Sequence, residues 1–164
     1  MKNWHYALII LWLLALRPAL SAAANATTLS GVEGFRIEIA TISKTARTLG
    51  LDEAHLQILT RERLQRATLP VGDFPAVLTV SLHTVEHPTT VLAYCLEVEV
   101  RQVMHLTRTT QMQMLAPTWT EGTLTMVTRS SFVQSVTGAL STLLDELIGD
   151  YRLVNQGREF SPVQ

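Results

Sequence analysis

One run of the sequence could support metal chemistry, the segment His83-Thr84-Val85-Glu86-His87. It matches the H-x-x-E-H pattern of inverted zinc peptidases. In that pattern a helix brings both histidines to one zinc ion, and the glutamate handles the proton of the zinc-bound water. Here His83 ends a stretch with strand-like alternation and Pro88 follows the motif, so the helical context is missing. A zinc hydrolase is therefore the weakest of three functional hypotheses.

Three charged residues, Glu97, Glu99 and Arg101, form a second group that could do chemistry. Their spacing of two places them on one side of a strand. Two neighbouring carboxylates could act as an acid and a base. The guanidinium on the same side favours a solvated cross-strand ladder instead.

No motif indicates covalent catalysis. The sequence contains neither the G-x-S-x-G turn of serine hydrolases nor a glycine-rich phosphate loop. The single cysteine, Cys95, has no second cysteine with which to form an internal disulfide. It is either a small residue covered by packing, which we favour, or a reactive thiol. We therefore expect no enzyme activity, no catalytic residue, no cofactor and no metal.

Charge excludes one class of partner. Without Lys2 and Arg17, which lie in a predicted signal peptide, 11 basic residues stand against 14 acidic ones, a net charge of −3. Arg61, Arg63 and Arg66 are close in sequence, but we expect them to form the solvated side of a helix rather than an anion site. With no basic stripe, nucleic acid is not an expected ligand.

The stretch at 91–106, VLAYCLEVEVRQVMHL, is the element that would position most of these residues. One side is apolar and is interrupted only at Gln102, while the charged residues lie on the other side. The apolar side consists of Leu92, Tyr94, Leu96, Val98, Val100, Met104 and Leu106. The pattern predicts a long strand of an antiparallel sheet, bent or bulged near Gln102.

Shorter alternating stretches predict three more strands. They lie at 35–42, 76–84 and 109–116. The following residues, 117–127, either extend the sheet or form a loop with a short strand at 124–127, an option that Gly122 permits.

Two amphipathic segments predict helices. The first begins at the N-cap Asp52 and ends before Pro70. The second begins at a capping box, Ser131 to Gln134, and carries an apolar stripe to Val154. The order β-α-β-β-β-α predicts an α+β two-layer sandwich, with an antiparallel sheet of about four strands and both helices on one face.

The amino terminus has the features of a secretory signal peptide: Lys2, an apolar run, and then small residues up to Ala24. We expect residues 1–24 to be the signal peptide, 25–34 a flexible lead-in, 35–155 a single domain and 156–164 a disordered tail. The protein is accordingly expected to be periplasmic or secreted. No later segment is apolar enough for a stable membrane span after cleavage.

Four segments carry a resemblance to known proteins. LQRATLPV at 64–71, LEVEVRQ at 96–102, PTW at 117–119 and DELIGDY at 145–151 resemble a family of small exported bacterial proteins without an assigned activity. In element order the chain also resembles the amino-terminal domain of TolB and, more loosely, the LptE-type envelope auxiliary proteins. The resemblance implies a non-enzymatic role in the cell envelope.

Our leading hypothesis is a periplasmic accessory or adaptor protein that binds an envelope protein through the open sheet face or an edge strand. The expected contact residues are Glu97, Glu99, Arg101 and Trp119. Trp119 follows Pro117 outside the regular pattern, so it either anchors a partner or packs into the core.

Two other classes remain open at this stage. A small apolar-ligand carrier would have its pocket between sheet and helices, lined by Met112, Met114 and Trp119. The zinc hydrolase would use His83, Glu86 and His87.

Overall fold

A computed structural model of the protein describes residues 26–86, 91–105 and 113–156. The strands are β1 (Arg36–Ile42), β2 (Val77–Glu86), β3 (Val91–His105) and β4 (Gln113–Thr128), in the spatial order β1-β2-β3-β4. The helices are α1 (Lys44–Thr48), α2 (Glu53–Arg66) and α3 (Phe132–Val154). The predicted α+β fold is confirmed. The predicted signal peptide and residues 157–164 of the predicted tail lie outside the described residues.

The sheet is mixed rather than wholly antiparallel. Strands β2, β3 and β4 form the predicted antiparallel meander, but β1 pairs with β2 in parallel. Between β1 and β2 the chain passes through α1 and α2 and returns to the end of the sheet from which β1 started. A strand reached by such a crossover runs in the same direction as the first. Side-chain alternation, which predicted both strands, carries no information on their direction.

Strand β4 resolves the alternative left open for residues 117–127, because it extends the sheet without interruption to Thr128. Pro117 is tolerated because β4 is an edge strand and the β3–β4 register shifts beside it. The shift falls between Val100 and Arg101, next to the bend predicted near Gln102.

The two long helices occur where they are predicted, but only one begins as expected. The Asp52 carboxylate accepts a hydrogen bond from the His55 amide at 2.8 Å, as an N-cap should. The capping box predicted for α3 is wrong. A 3-10 turn precedes that helix, and the Ser131 hydroxyl donates to the Thr128 carbonyl at 3.2 Å instead of capping. Helix α1 was not predicted, because five residues are too few to show a helical period.

The core lies between the sheet and the helices. Tyr94 of β3 holds α3 in place: its ring packs edge-on against Phe132, with centroids 5.9 Å apart, and its hydroxyl is 2.9 Å from that of Ser135. Each large apolar side chain buried here contributes about 1.5–3 kcal/mol before entropy is counted. The buried stripes are Leu78, Val80 and Leu82 on β2, Leu92, Leu96, Val98 and Val100 on β3, and Val136, Leu140, Leu144 and Leu147 on α3. Within the described ranges, no helix has both the length and the apolarity that a membrane span requires.

Residues 26–34, predicted as a flexible lead-in, belong to the folded domain. Leu29 and Val32 are buried in the core. The Asn155 side chain, just after α3, accepts from the Gly31 amide at 3.1 Å and donates to the Leu29 carbonyl at 3.0 Å. The Tyr151 hydroxyl donates to the Val32 carbonyl at 2.9 Å. These bonds fasten the start of the domain to its last helix.

We expect Asn155→Ala to lower the free energy of unfolding by about 1–3 kcal/mol, because it leaves buried backbone groups without partners. Urea denaturation of the mature protein measures the change, with the exposed neighbour Gln156→Ala as the control. Equal midpoints for the two variants would show that Asn155 does not fasten the lead-in.

Candidate functional site

The side of the sheet opposite the helices, which we call the open face, carries the residues that sequence reasoning singled out. The described helices pack on the other side. Strand register places these residues in rows across the sheet, running from a polar end at Arg101 to an apolar end at Val85. The open face consists of Arg36 and Glu38 on β1; Val77, Thr79, Ser81, His83 and Val85 on β2; Ala93, Cys95, Glu97, Glu99 and Arg101 on β3; and Thr120, Gly122, Leu124 and Met126 on β4.

The polar end contains the three predicted contact residues of β3. Glu97, Glu99 and Arg101 are half-buried and share the open face, opposite Ser81, Thr79 and Val77 of β2. The three side chains therefore lie on one face, as predicted. Within the described ranges, however, no salt bridge connects them to one another.

Two polar atoms at this end lack hydrogen-bond partners among the described residues. Thr79 is only 4% exposed, and its hydroxyl oxygen Oγ1 is buried and unpaired. The Nε of Arg101, in the neighbouring row, is also buried and has no hydrogen-bond partner among the described residues. An unpaired buried polar group costs about 1–3 kcal/mol. The polar end therefore holds unsatisfied hydrogen-bonding capacity.

The apolar end exposes a contiguous patch of large side chains. Val85 is 70% exposed, Leu124 75% and Met126 70%. Register puts Val85, Ala93 and Met126 in one row and Cys95 beside Leu124 in the next. We call these five residues the apolar patch. Sequence reasoning missed it, because the patch is assembled only when residues 117–127 form a strand that pairs with β3.

Cys95 lies within the apolar patch and is exposed, so the expectation that packing covers it is wrong. The open face leaves it uncovered because no described helix lies on that side. Its cross-strand neighbours are the exposed His83 on β2 and Leu124 on β4.

The outer edge of β4 pairs with none of the described strands. The opposite edge of the sheet, at β1, is partly covered: Phe35 exchanges backbone hydrogen bonds with Pro70 and Gly72, each 3.0 Å long, and the β1 register shifts after Ile39. Strand β4 has such protection only at Pro117 and the neighbouring bulge. Beyond that point, residues 119–128 contain one charged residue, Glu121.

Carboxylates flank this edge on the helical side. The Trp119 indole Nε1 donates to Asp150 Oδ2 of α3 at 2.9 Å, which fixes the helix beside β4. Glu121 lies two residues farther along the strand, and Glu146 one helical turn before Asp150. Partial burial, followed by the charges of Glu121 and Asp150, raises the pKa of Glu146. Among the described residues none of the three forms a salt bridge. We call Glu121, Glu146 and Asp150 the acidic cluster.

Trp119, named above as a possible partner anchor, is a core residue. It is 1% exposed and packs among the buried apolar side chains. Trp119 therefore packs into the core, the second of the two alternatives left open by the sequence, and its ring is not accessible to a partner. The Pro117 bulge keeps Trp119 opposite Val100 on the helical side.

The zinc motif is divided by the sheet. His83 is on the open face and exposed, whereas Glu86 is directed to the helical side. There the Glu86 carboxylate accepts from the Thr45 hydroxyl at 2.6 Å and pairs with Arg129 at 2.6 Å. The Thr45 hydrogen bond, with a smaller contribution from the Arg129 charge, lowers the pKa of Glu86. His83 and Glu86 thus do not converge on one metal ion, and His87 lies outside the described residues.

The residues predicted to line a carrier pocket do not come together either. Met114 is exposed near the start of β4, Trp119 is in the core, and Met112 lies outside the described residues. A cavity of about 330 Å³ lies elsewhere, where residues 31–34 meet Ala76 and Val103. Neither Met114 nor Trp119 lines it.

The arginines of α2 serve the helical layer. Arg63 Nε donates to Asp145 Oδ1 of α3 at 2.7 Å, and Arg66 pairs with Glu62 at 2.8 Å. Both pairs are solvent-exposed. The first joins α2 to α3 and the second lies on the surface of α2, as expected for the solvated side of a helix.

Comparison with solved structures finds a likeness to a lipoprotein. A minor lipoprotein from Acinetobacter baumannii, known from a crystal structure, is similar over 75% of this chain and 93% of its own, with 12% identity and a TM-score of 0.36. No protein-family model and no curated protein matches the sequence.

We expect Thr79→Val to leave the free energy of unfolding unchanged or to raise it by up to about 1 kcal/mol, because the isosteric change removes a buried hydroxyl that has no partner. Denaturant unfolding measures this. Thr60→Val is the matched control, since the buried Thr60 hydroxyl donates a hydrogen bond to the Leu56 carbonyl at 2.8 Å. Loss of that hydrogen bond should lower the free energy of unfolding by about 0.5–1.5 kcal/mol. Equal destabilisation by both variants would contradict an unpaired Thr79.

The raised pKa of Glu146 gives stability a pH dependence of known sign. Above the usual glutamate pKa, the folded protein retains a proton that the unfolded chain has released, so stability falls as pH rises through that window. We expect Glu146→Gln to make this fall smaller, as measured by unfolding at a series of pH values. Glu33→Gln, an exposed glutamate in the lead-in, controls for the loss of one charge. An unchanged profile for Glu146→Gln would contradict the effect.

Proposed function

We propose that this protein is a non-enzymatic accessory or adaptor of the bacterial cell envelope, which binds another envelope protein through the open face. The observation that carries the proposal is the apolar patch, a group of large apolar side chains held in water on a sheet that the helices cover from one side only.

The patch is more than scattered surface apolarity. Single exposed apolar residues are normal on soluble proteins, but contiguous ones mark sites of interaction. Val85, Leu124 and Met126 come from two strands separated by β3, and pairing with β3 brings them together. A sheet also holds these side chains on a rigid backbone, so a partner can bury them without first ordering the surface.

The polar end supplies the second part of a protein-binding surface. Interfaces combine an apolar core with polar groups that become paired when water is excluded. Glu97, Glu99 and Arg101 are half-buried here, while the Thr79 hydroxyl and the Arg101 Nε lie below the surface that a partner could contact. A partner that supplies donors to the two carboxylates and acceptors to the exposed part of the guanidinium would fix its own orientation.

The envelope location is supported by the amino-terminal pattern. Lys2, the apolar run and the small residues up to Ala24 have the order of a signal peptide. An exported chain meets partners in the envelope or outside the cell. The resemblance to envelope auxiliary proteins agrees with this location but does not name a partner.

Site-specific crosslinking in the native host tests the proposal. A photo-reactive amino acid replaces Leu124 on the open face or, as the matched control, the exposed Ile58 on α2. We expect position 124 to crosslink a reproducible envelope protein that position 58 does not crosslink. The same products from both positions, or none from position 124, would refute the proposal.

Substitution of the open face should weaken this partner contact without unfolding the protein. We expect the triple change Glu97→Gln, Glu99→Gln and Arg101→Gln to lower partner capture about tenfold, the effect of losing about 1.4 kcal/mol of binding free energy. Thermal stability should change little, because none of the three side chains forms an ion pair within the described part of the chain. Quantitative capture and thermal unfolding measure the two effects.

Two further variants complete the comparison. Leu124→Ser should weaken capture in the same way, whereas Ile58→Ser, which removes a similar exposed side chain from the helical layer, should not. Full capture by both the triple variant and Leu124→Ser would remove the open face as the binding surface.

A further inference from the structure

The unpaired edge of β4 presents backbone groups on which another strand can form. Residues 119–128 pair through one row of N–H and C=O groups with β3, and the other row is paired with none of the described strands. Soluble proteins usually block such an edge with lysine, proline or a bulge. Past the Pro117 bulge, this stretch of β4 has neither lysine nor proline. The other edge strand, β1, is shorter, and residues 70–72 pair with Phe35 directly before it.

The two sides of this edge differ in chemistry. On the helical side stands the acidic cluster of Glu121, Glu146 and Asp150, which has no cationic partner among the described residues. On the other side Leu124 and Met126 continue the apolar patch to the rim of the sheet. A strand added at β4 would lie about 4.8 Å away and direct alternate side chains to these two sides.

We propose that the β4 edge binds an extended segment of a partner protein as a fifth strand, with basic side chains facing α3 alternating with apolar side chains that extend the open face. This inference rests on the proposed function and identifies the chemistry of the partner segment. The unpaired β4 backbone provides affinity and the acidic cluster provides the charge preference. The apolar patch buries the remaining side chains.

The charge of the edge selects against a second copy of this chain. Strand β4 contains no lysine or arginine from Gln113 to Thr128. Edge-to-edge pairing of two copies would bring each Glu121 toward the other acidic cluster, and like charges across a strand pair are destabilising. A basic partner segment relieves the repulsion among the three carboxylates, whereas a second copy increases it.

Designed peptides test the proposal directly. The probe is a capped ten-residue peptide that alternates lysine and valine, compared with the same peptide carrying glutamate in place of lysine. NMR titration of the mature protein measures affinity and location. We expect shifts and slowed amide exchange at residues 119–128, with β1 unaffected, and binding at least about tenfold tighter for the lysine peptide. Shifts centred on β1, or equal affinity of the two peptides, would overturn the proposal.

Protein variants separate the contribution of the acidic cluster from general charge. We expect the double change Glu121→Gln and Glu146→Gln to weaken lysine-peptide binding about four- to twenty-fivefold, because each partly exposed carboxylate should contribute a factor of about two to five. Glu38→Gln, which removes a carboxylate at the opposite edge strand, is the matched control and should have no effect. Equal losses for the double variant and Glu38→Gln would refute the role of the cluster.

A backbone-modified probe tests strand pairing itself. N-methylation of alternate amides removes the donors that a fifth strand needs while keeping the charge, so one of the two methylation patterns should abolish binding. Undiminished binding of both methylated peptides would show that the contact is electrostatic only, which overturns the proposal.

The two proposals fail in different experiments. An envelope protein crosslinked from position 124, together with a lysine peptide that does not bind β4, refutes strand addition and leaves the proposed function intact. Specific peptide binding at β4, with no envelope protein crosslinked from position 124, supports the edge site and refutes the open face as the adaptor surface.

Discussion

The apolar side of β3 is the constraint on which the rest of the structure depends. Leu92, Leu96 and Val100 lie on it, and their burial requires a cover along nearly the whole strand. Helix α3 supplies that cover over β3 and β4, and α2 supplies it over β1. Because both helices are needed on this side, the described chain has none left for the other. The open face is thus a consequence of how the core is built, and its chemistry is available for contacts with other molecules.

Much of this arrangement follows from local sequence patterns. The alternation around Leu96 and the helical stripe through Leu140 and Leu147 both indicate burial of one side, which is a local property of the sequence. The positions of β3 and α3, and the side that each buries, can therefore be predicted. The Asp52 cap is local as well. The Ser131 cap fails because its backbone belongs to a preceding 3-10 turn, whose presence depends on how β4 enters the helix.

The open face and the acidic cluster are less predictable because they are assembled between separate strands and helices. Glu97, Glu99 and Arg101 follow one another on β3, so their common face could be inferred. Leu124 and Met126 join Val85 only through the β3–β4 register, and the acidic cluster requires α3 to lie along β4. Trp119 shows the same limit: its position after Pro117 is compatible with both a partner contact and core packing, and the bulge beside it places it in the core. Register and helix placement depend on the whole fold, and a linear pattern does not specify them.

The bonds between the lead-in and the end of α3 have a consequence for how the domain can be attached to anything else. Asn155 contacts Leu29 and Gly31, and Gln102 Nε2 donates to the Thr28 carbonyl at 2.9 Å, so both ends of the described domain meet beside the polar end of the sheet. Along β3 the apolar patch lies roughly 25 Å away, at 3.3 Å per residue. A tether, fusion or surface linkage at either end would hold the domain by its polar end and direct the apolar patch outward. Labelling and immobilisation at the termini are therefore compatible with an unobstructed patch.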